Sequence, residues 1–321
     1  MKIKKIILGA VTLIVGLPLV ALLVAVVWIS ALDRTSGSIV SSGEEREYLL
    51  YVPDSYDPAA PTPLVISLHG GAAWAAQQKD LSGWNRLADE NGFIVAYPSG
   101  TPQLFNVVRI WRTTPERVTK DVQFIASLID TLEAAYTIDT ARIYVNGMSM
   151  GGSLTFALSC ALSHRIAAVG TVASAHQIPA DWCADAKPVP VMAFHGDADP
   201  IVPYEGGPLG DPFNPVKPVY PPVRDFMASW AERNGCGIHP VESTVARDVA
   251  RFEYPDCAEG AAVVLYTLVG GGHTWPGGKP LPEWYVGATN TSIDATSTLW
   301  TFYLEHPLMQ GQISGERRDG R

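Results

Sequence analysis

The chain has 321 residues, 47% of them hydrophobic, with 32 Asp+Glu against 23 Lys+Arg and a net charge of −9. That length allows one large domain or two small ones, with enough apolar residues for a sizeable core. An acidic body without a basic patch repels phosphate backbones, so no nucleic-acid partner is expected.

At the N-terminus, Lys2, Lys4 and Lys5 precede an uncharged apolar run from Ile6 to Leu32. As a helix this run is roughly 40 Å long, more than the ~30 Å of a bilayer's hydrocarbon core. The apolar region of a cleaved signal is about 7–15 residues. Residues 1–34 are therefore expected to form a retained membrane anchor, with the lysines cytoplasmic and residues 35–321 on the periplasmic or outer side. The alternative is a cleaved signal and a secreted protein. Residues 35–44, rich in Ser and Gly, read as a linker off the membrane.

The body alternates strand and helix patterns. Apolar, strand-like runs occupy residues 46–53, 63–71, 93–98, 142–147, 167–174, 189–196 and 261–273. Helical faces are formed by Leu81, Trp84, Leu87 and Ala88, and by Val118, Val122, Ile125, Ile129 and Leu132. Residues 221–235 begin with Pro and end with Gly, as helices do, and a last helix is expected from Ile293 to Glu305. The alternation predicts an α/β fold over residues 35–321: a mostly parallel central sheet, helices on both faces, and sites at the carboxyl ends of the strands. Residues 205–222 carry six prolines and read as a long loop near those ends; residues 311–321 read as a frayed tail.

Cys160, Cys183, Cys236 and Cys257 form an even set without a Cys-x-x-Cys pair, which points to disulfides in an oxidising compartment rather than to zinc. Three pairings are possible; pairing neighbours closes two short loops, each contributing about 3 kcal/mol. Asn290 opens an Asn-x-Ser pattern that we take as accidental beside so bacterial an N-terminus.

One stretch carries chemistry. "YVNGMSMGG" places Ser149 between Gly147 and Gly151, after a strand run and before the apolar helix "SLTFALSCAL". In this strand–turn–helix setting, Gly-x-Ser-x-Gly forms a nucleophile elbow, the glycines relieving the crowding where strand and helix meet. A serine needs a base. His273 follows the last strand run, after three glycines expected to give a mobile loop that can swing an imidazole over the sheet edge. The base needs a carboxylate, and "FHGDADPIVPY" offers Asp197 and Asp199, which local physics does not separate. An oxyanion hole needs two backbone N–H groups. Met150, after the nucleophile, supplies one, and Gly71 or Ala72, after the strand run ending "LHGG", supplies the other.

Together, "PLVISLHGG", "YTIDTARIYVNGMSMGG", "FHGDADPIVPYEGG", "SWAERNGC", "GGGHTWPGG" and "IDATSTLWTFYLEHP" resemble the α/β-hydrolase family of polyhydroxybutyrate depolymerases and feruloyl or acetylxylan esterases, over most of residues 44–307. The resemblance implies an α/β-hydrolase fold and a serine esterase with Ser149 as nucleophile, His273 as base and Asp199 as acid. It also implies the pairs Cys160–Cys183 and Cys236–Cys257. No metal or cofactor is required. The implied substrate is a carboxylic ester of small-molecule, polysaccharide or polyester type. Trp275, two residues past the base, is a candidate substrate contact, as are Trp74, Trp111 and Trp182 in or near loops. Departures are Ala72-Ala73 after "LHGG", which leaves the second oxyanion donor open, and the membrane segment. A silent binding protein on the same fold, or a serine peptidase, is the alternative.

Overall fold

The run TPLVISL is buried at all seven positions, as a strand covered on both faces must be. Leu64, Ile66 and Leu68 enter one core cluster and Val65 the other, so the alternation of a strand divides one apolar segment between two layers. The computed structural model describes residues 35–103, 108–111, 115–175, 183–212 and 217–309. The expected anchor over residues 6–32, Trp182 and the tail lie outside them. Among the described residues no helix is long and apolar enough to cross a membrane.

The main sheet has ten strands. They are β1 (Gly37–Ser41), β2 (Glu44–Tyr51), β3 (Thr62–Leu68), β4 (Ile94–Pro98), β5 (Ile138–Met148), β6 (Ala168–Val172), β7 (Val191–Gly196), β8 (Val241–Ala246), β9 (Val249–Tyr254) and β10 (Val263–Leu268). Their spatial order is β1-β2-β4-β3-β5-β6-β7-β10-β9-β8. The six central strands, β4 to β10 in that order, pair in parallel; the outer pairs are antiparallel.

Helices cover both faces. They are α1 (Ala75–Ser82), α2 (Trp84–Asn91), α3 (Pro115–Ala135), α4 (Met150–Ala161), α5 (Val223–Arg233), the short α6 (Glu283–Val286) and α7 (Ala295–Glu305). One layer packs α3, α4 and α5 through Ile125, Ile129, Phe156, Phe226 and Trp230; the other packs α1, α2 and α7 through Leu81, Trp84, Leu299 and Tyr303. The start of α7 is set by Asp294, whose carboxylate accepts the Ser297 N–H at 2.8 Å.

Three expectations change. Residues 35–44 are not a linker: Ser42 and Gly43, at φ 51° and 75°, make a tight hairpin that pairs β1 with β2. The face shared by Leu81 and Trp84 belongs to two helices, because Gly83 turns left-handed at φ 68° and caps α1 through the Lys79 carbonyl. The β8–β9 hairpin was not expected. Within the proline-rich loop, Gly207–Pro208 pairs with Val219–Tyr220. Both disulfides join sequence neighbours, Cys160–Cys183 and Cys236–Cys257, as the resemblance implied.

Candidate active site

The elbow is built by close approach. β5 ends at Met148, α4 begins at Met150, and Ser149 between them sits at φ 54°, ψ −118°, a region a residue with Cβ occupies only under strain. Its N–H donates to the Val172 carbonyl at the end of β6 at 2.9 Å, and its carbonyl accepts the Ser153 N–H at 3.0 Å, so both neighbours hold the strained peptide. A Cβ on Gly147 would collide with the Gly151 peptide; one on Gly151 would strike the carbonyls of Leu68 and His69. These glycines are there for space: neither has positive φ. Behind the elbow a buried polar ladder ties four elements, α1, β3, β5 and α2. Gln78 Nε2 donates to Ser67 Oγ (3.0 Å), Ser67 Oγ to Asn146 Oδ1 (2.7 Å), and Trp84 Nε1 to the same oxygen (3.2 Å).

The expected base, His273, and the expected acid, Asp199, are in contact. His273 Nδ1 lies 2.8 Å from Asp199 Oδ2, with His273 6% exposed and the carboxylate fully buried. Asp199 Oδ1 accepts the N–H groups of Ile201 (2.8 Å) and Val202 (2.9 Å). Burial opposes charge on Asp199, but His273, then His195, outweigh it and hold the carboxyl below the usual carboxylate range. An ionised carboxylate only accepts, so His273 carries its proton on Nδ1 and has a lone pair on Nε2. Asp197 does something else: it is exposed, and its Oδ1 accepts the Gly270 N–H at 2.6 Å, bracing the β7 loop to the β10 loop.

Two of the three glycines before His273, Gly271 and Gly272, are packed rather than free. Gly271 and Gly272 are buried; a Cβ on Gly272 would collide with the Val286 carbonyl, and one on Gly196 with the Gly271 carbonyl. The Gly272 and His273 N–H groups donate to Ala288 (2.8 Å) and Val286 (2.6 Å). Glycine here allows dense packing that fixes the imidazole. Ser149, Asp199 and His273 all lie just past carboxyl ends of the parallel strands β5, β7 and β10, on one edge of the sheet. Among the described residues no hydrogen bond joins Ser149 Oγ to His273. Such bonds are often long in an unliganded site.

Gly71 packs directly on Met150, so that a Cβ at Gly71 would strike the Met150 side chain; a Cβ at Gly70 would lie 3.7 Å from that of Ser149. As the first residue of α4, Met150 has an N–H with no intrahelical acceptor. Sequence reasoning missed what holds this loop, although "LHGG" carried the signal. His69 Nε2 accepts the Gly100 N–H at 2.9 Å, which leaves Nδ1 to donate to the Gly70 carbonyl at 2.7 Å. Burial, with the charges of Arg109 and Arg46 and against the Gly70 bond, lowers His69 to about 4, so it stays neutral.

Two tryptophans expected at the substrate are in the core. Trp275 is fully buried, its Nε1–H donating to Thr296 Oγ1 at 2.9 Å, because the chain folds back from His273 onto α7. Trp111 is 1% exposed, donates to the His69 carbonyl at 2.7 Å and packs on the His69 ring. Trp74, at the start of α1, is half-buried. Trp284, not singled out from sequence, is 82% exposed on α6.

Known proteins resemble this chain in family and in fold. The family model described as "Esterase PHB depolymerase" matches residues 46–202. A putative esterase, NocK, from Nocardia uniformis subsp. tsuyamanensis is 30% identical over 293 residues, covering 84% of this chain and 82% of the relative. A bifunctional acetylxylan esterase/xylanase from Neocallimastix patriciarum is 32% identical, covering 72% of this chain and 31% of its own length. Feruloyl esterase B from Piromyces equi is 29% identical, covering 73% of this chain and 44% of its own length. The chain thus spans less than half of these two relatives. An acetyl xylan esterase from Aspergillus awamori shares the fold, with TM-score 0.57 and 15% identity, over 74% of this chain and 93% of that one.

Proposed function

The chain belongs to the PHB-depolymerase esterase family and is a carboxylic ester hydrolase; from that premise we propose that it works through a Ser149–His273–Asp199 triad and an acyl-enzyme. The observation that carries the reading is the buried 2.8 Å contact between His273 Nδ1 and Asp199 Oδ2, which leaves Nε2 as the base. Ser149 Oγ attacks the ester carbonyl as His273 Nε2 takes its proton, and Asp199 stabilises the imidazolium. The N–H groups of Met150 and Gly71 receive the oxyanion. Collapse breaks the bond to the alkoxide, which leaves with the proton from His273. Water then repeats the sequence on the acyl-enzyme and frees the acid.

The names of the relatives favour acetyl or feruloyl esters linked to polysaccharide, with hydroxyalkanoate esters as the other substrates to assay. Two disulfides fit an oxidising compartment, and the apolar run over 6–32 fits an anchor facing it. Full-length protein should then resist carbonate extraction from membranes. The triad is tested by Ser149→Ala in a panel of methyl ferulate, short acyl esters and polyhydroxybutyrate film. Turnover is expected to fall by about 10⁴-fold or more, together with loss of fluorophosphonate labelling. Full turnover in the variant rejects the assignment.

A further inference from the structure

Asp199 is shared by two imidazoles. His195, the second-last residue of β7, is 1% exposed, and its Nε2 lies 2.9 Å from the Val202 carbonyl and 3.4 Å from Asp199 Oδ2. A carbonyl only accepts, so Nε2 bears the proton. Nδ1 then holds a lone pair, is buried, and has no hydrogen-bond partner among the described residues. An orphaned buried acceptor costs stability. A hydrocarbon side chain would fill the same core volume without that cost, so packing does not account for the ring. What an imidazole adds here is an N–H aimed at the loop that holds the carboxylate.

That N–H closes a ring of contacts. His195 holds the Val202 carbonyl, the Val202 N–H holds Asp199 Oδ1, and Asp199 Oδ2 faces both His195 and His273. Two hydroxyl-bearing side chains adjoin His195. The Tyr204 ring sits edge-on, 6.0 Å from that of His195, and its hydroxyl is 2.6 Å from Thr267 Oγ1; Thr267 is the β10 residue paired with His195 in the sheet. We infer that His195 is a positioning residue: its Nε2–H, held between the Val202 carbonyl and Asp199, fixes the orientation in which the carboxylate receives His273. The inference rests on the triad reading above. His195 touches no substrate and takes no proton in the cycle; its contact also favours the charged form of Asp199.

The test uses the full chain and hydrolysis of p-nitrophenyl acetate. His195→Met keeps similar volume without a donor; His195→Gln carries an amide N–H to about the reach of Nε2. His195→Met is expected to lower kcat about 30-fold or more with little change in KM. It should also move the acid limb of kcat/KM to lower pH, because the imidazolium loses a well-placed counter-ion. His195→Gln should recover kcat to within about five-fold of the parent. Parental kcat and pH profile in a folded His195→Met protein overturn the inference. So does His195→Gln falling as far as His195→Met when both melt like the parent. Should His195→Met not fold, the long-range ¹⁵N–¹H spectrum of the parent decides: an Nε2–H tautomer supports the inference and an Nδ1–H tautomer overturns it. Turnover that survives Ser149→Ala overturns the triad and this inference with it, whereas Ser149-dependent turnover with an inert His195→Met overturns this inference alone.

Discussion

The loop after β3 and the loop after β10 each bury a histidine at the same edge of the sheet, and the two rings are used differently. In both, Nδ1 carries the proton: His69 gives it to the Gly70 carbonyl, His273 to Asp199. The difference lies at Nε2. His69 has it occupied by the Gly100 N–H, while His273 has its lone pair free for the base role proposed above. Burial alone therefore does not make an imidazole a base. A neutral partner on one nitrogen and a closed bond on the other make a strut; a carboxylate on one and an open lone pair on the other make a proton acceptor.

The largest effect should come from the reactive ring. His273→Ala or Asp199→Asn is expected to cost about 10⁴-fold in kcat, read by steady-state turnover in protein of unchanged fold. His69→Ala should cost less, about 10²-fold, by loosening the loop of one oxyanion donor, and should also lower the melting temperature. If His69→Ala matches His273→Ala in folded protein, the distinction between strut and base fails.

Acid sharpens the same contrast. His69 titrates at about 4 in the folded chain against about 6.5 when exposed. Between those values the unfolded chain binds a proton that the folded one refuses, so stability falls as pH drops from about 6.5 to 4, by about 3 kcal/mol at most. Urea midpoints across that window should slope in the parent and flatten in His69→Gln. Asp199 has the same sign in a lower pH window. Its depressed carboxyl contributes stability that is present above the usual carboxylate value, about 3.9, and is lost only at lower pH.

The smallest effect is expected at Trp284, on the same loop as His273 but 82% exposed. Trp284→Ala should change stability by less than about 0.5 kcal/mol and leave p-nitrophenyl acetate turnover intact. An effect confined to polymeric ester would assign the indole to substrate contact.

Several of these features were legible in the sequence because their cause is local. Gly147 and Gly151 mark the elbow since a Cβ at either would meet backbone. The central strands were legible as unbroken apolar runs. Asp199 could not be separated from Asp197 by type or spacing, because the distinction lies in which carboxylate the Ile201 and Val202 N–H groups and His273 reach. The β8–β9 hairpin was hidden because β8 lies at the sheet edge with five of its six residues exposed, leaving no apolar signal. The glycines before His273 suggested freedom, yet Gly271 and Gly272 serve contact, Gly270 alone turning left-handed in open space, and Trp275 follows them into the core. Composition shows that glycine is present, not whether the space around it is empty.

The Cys160–Cys183 bond ties the far end of the helix that starts beside Ser149 to the segment leading into β7. A protease cut anywhere between those two cysteines would consequently release nothing. The clipped enzyme should migrate as one band on a non-reducing gel and as two after dithiothreitol, with the active-site label on the N-terminal piece.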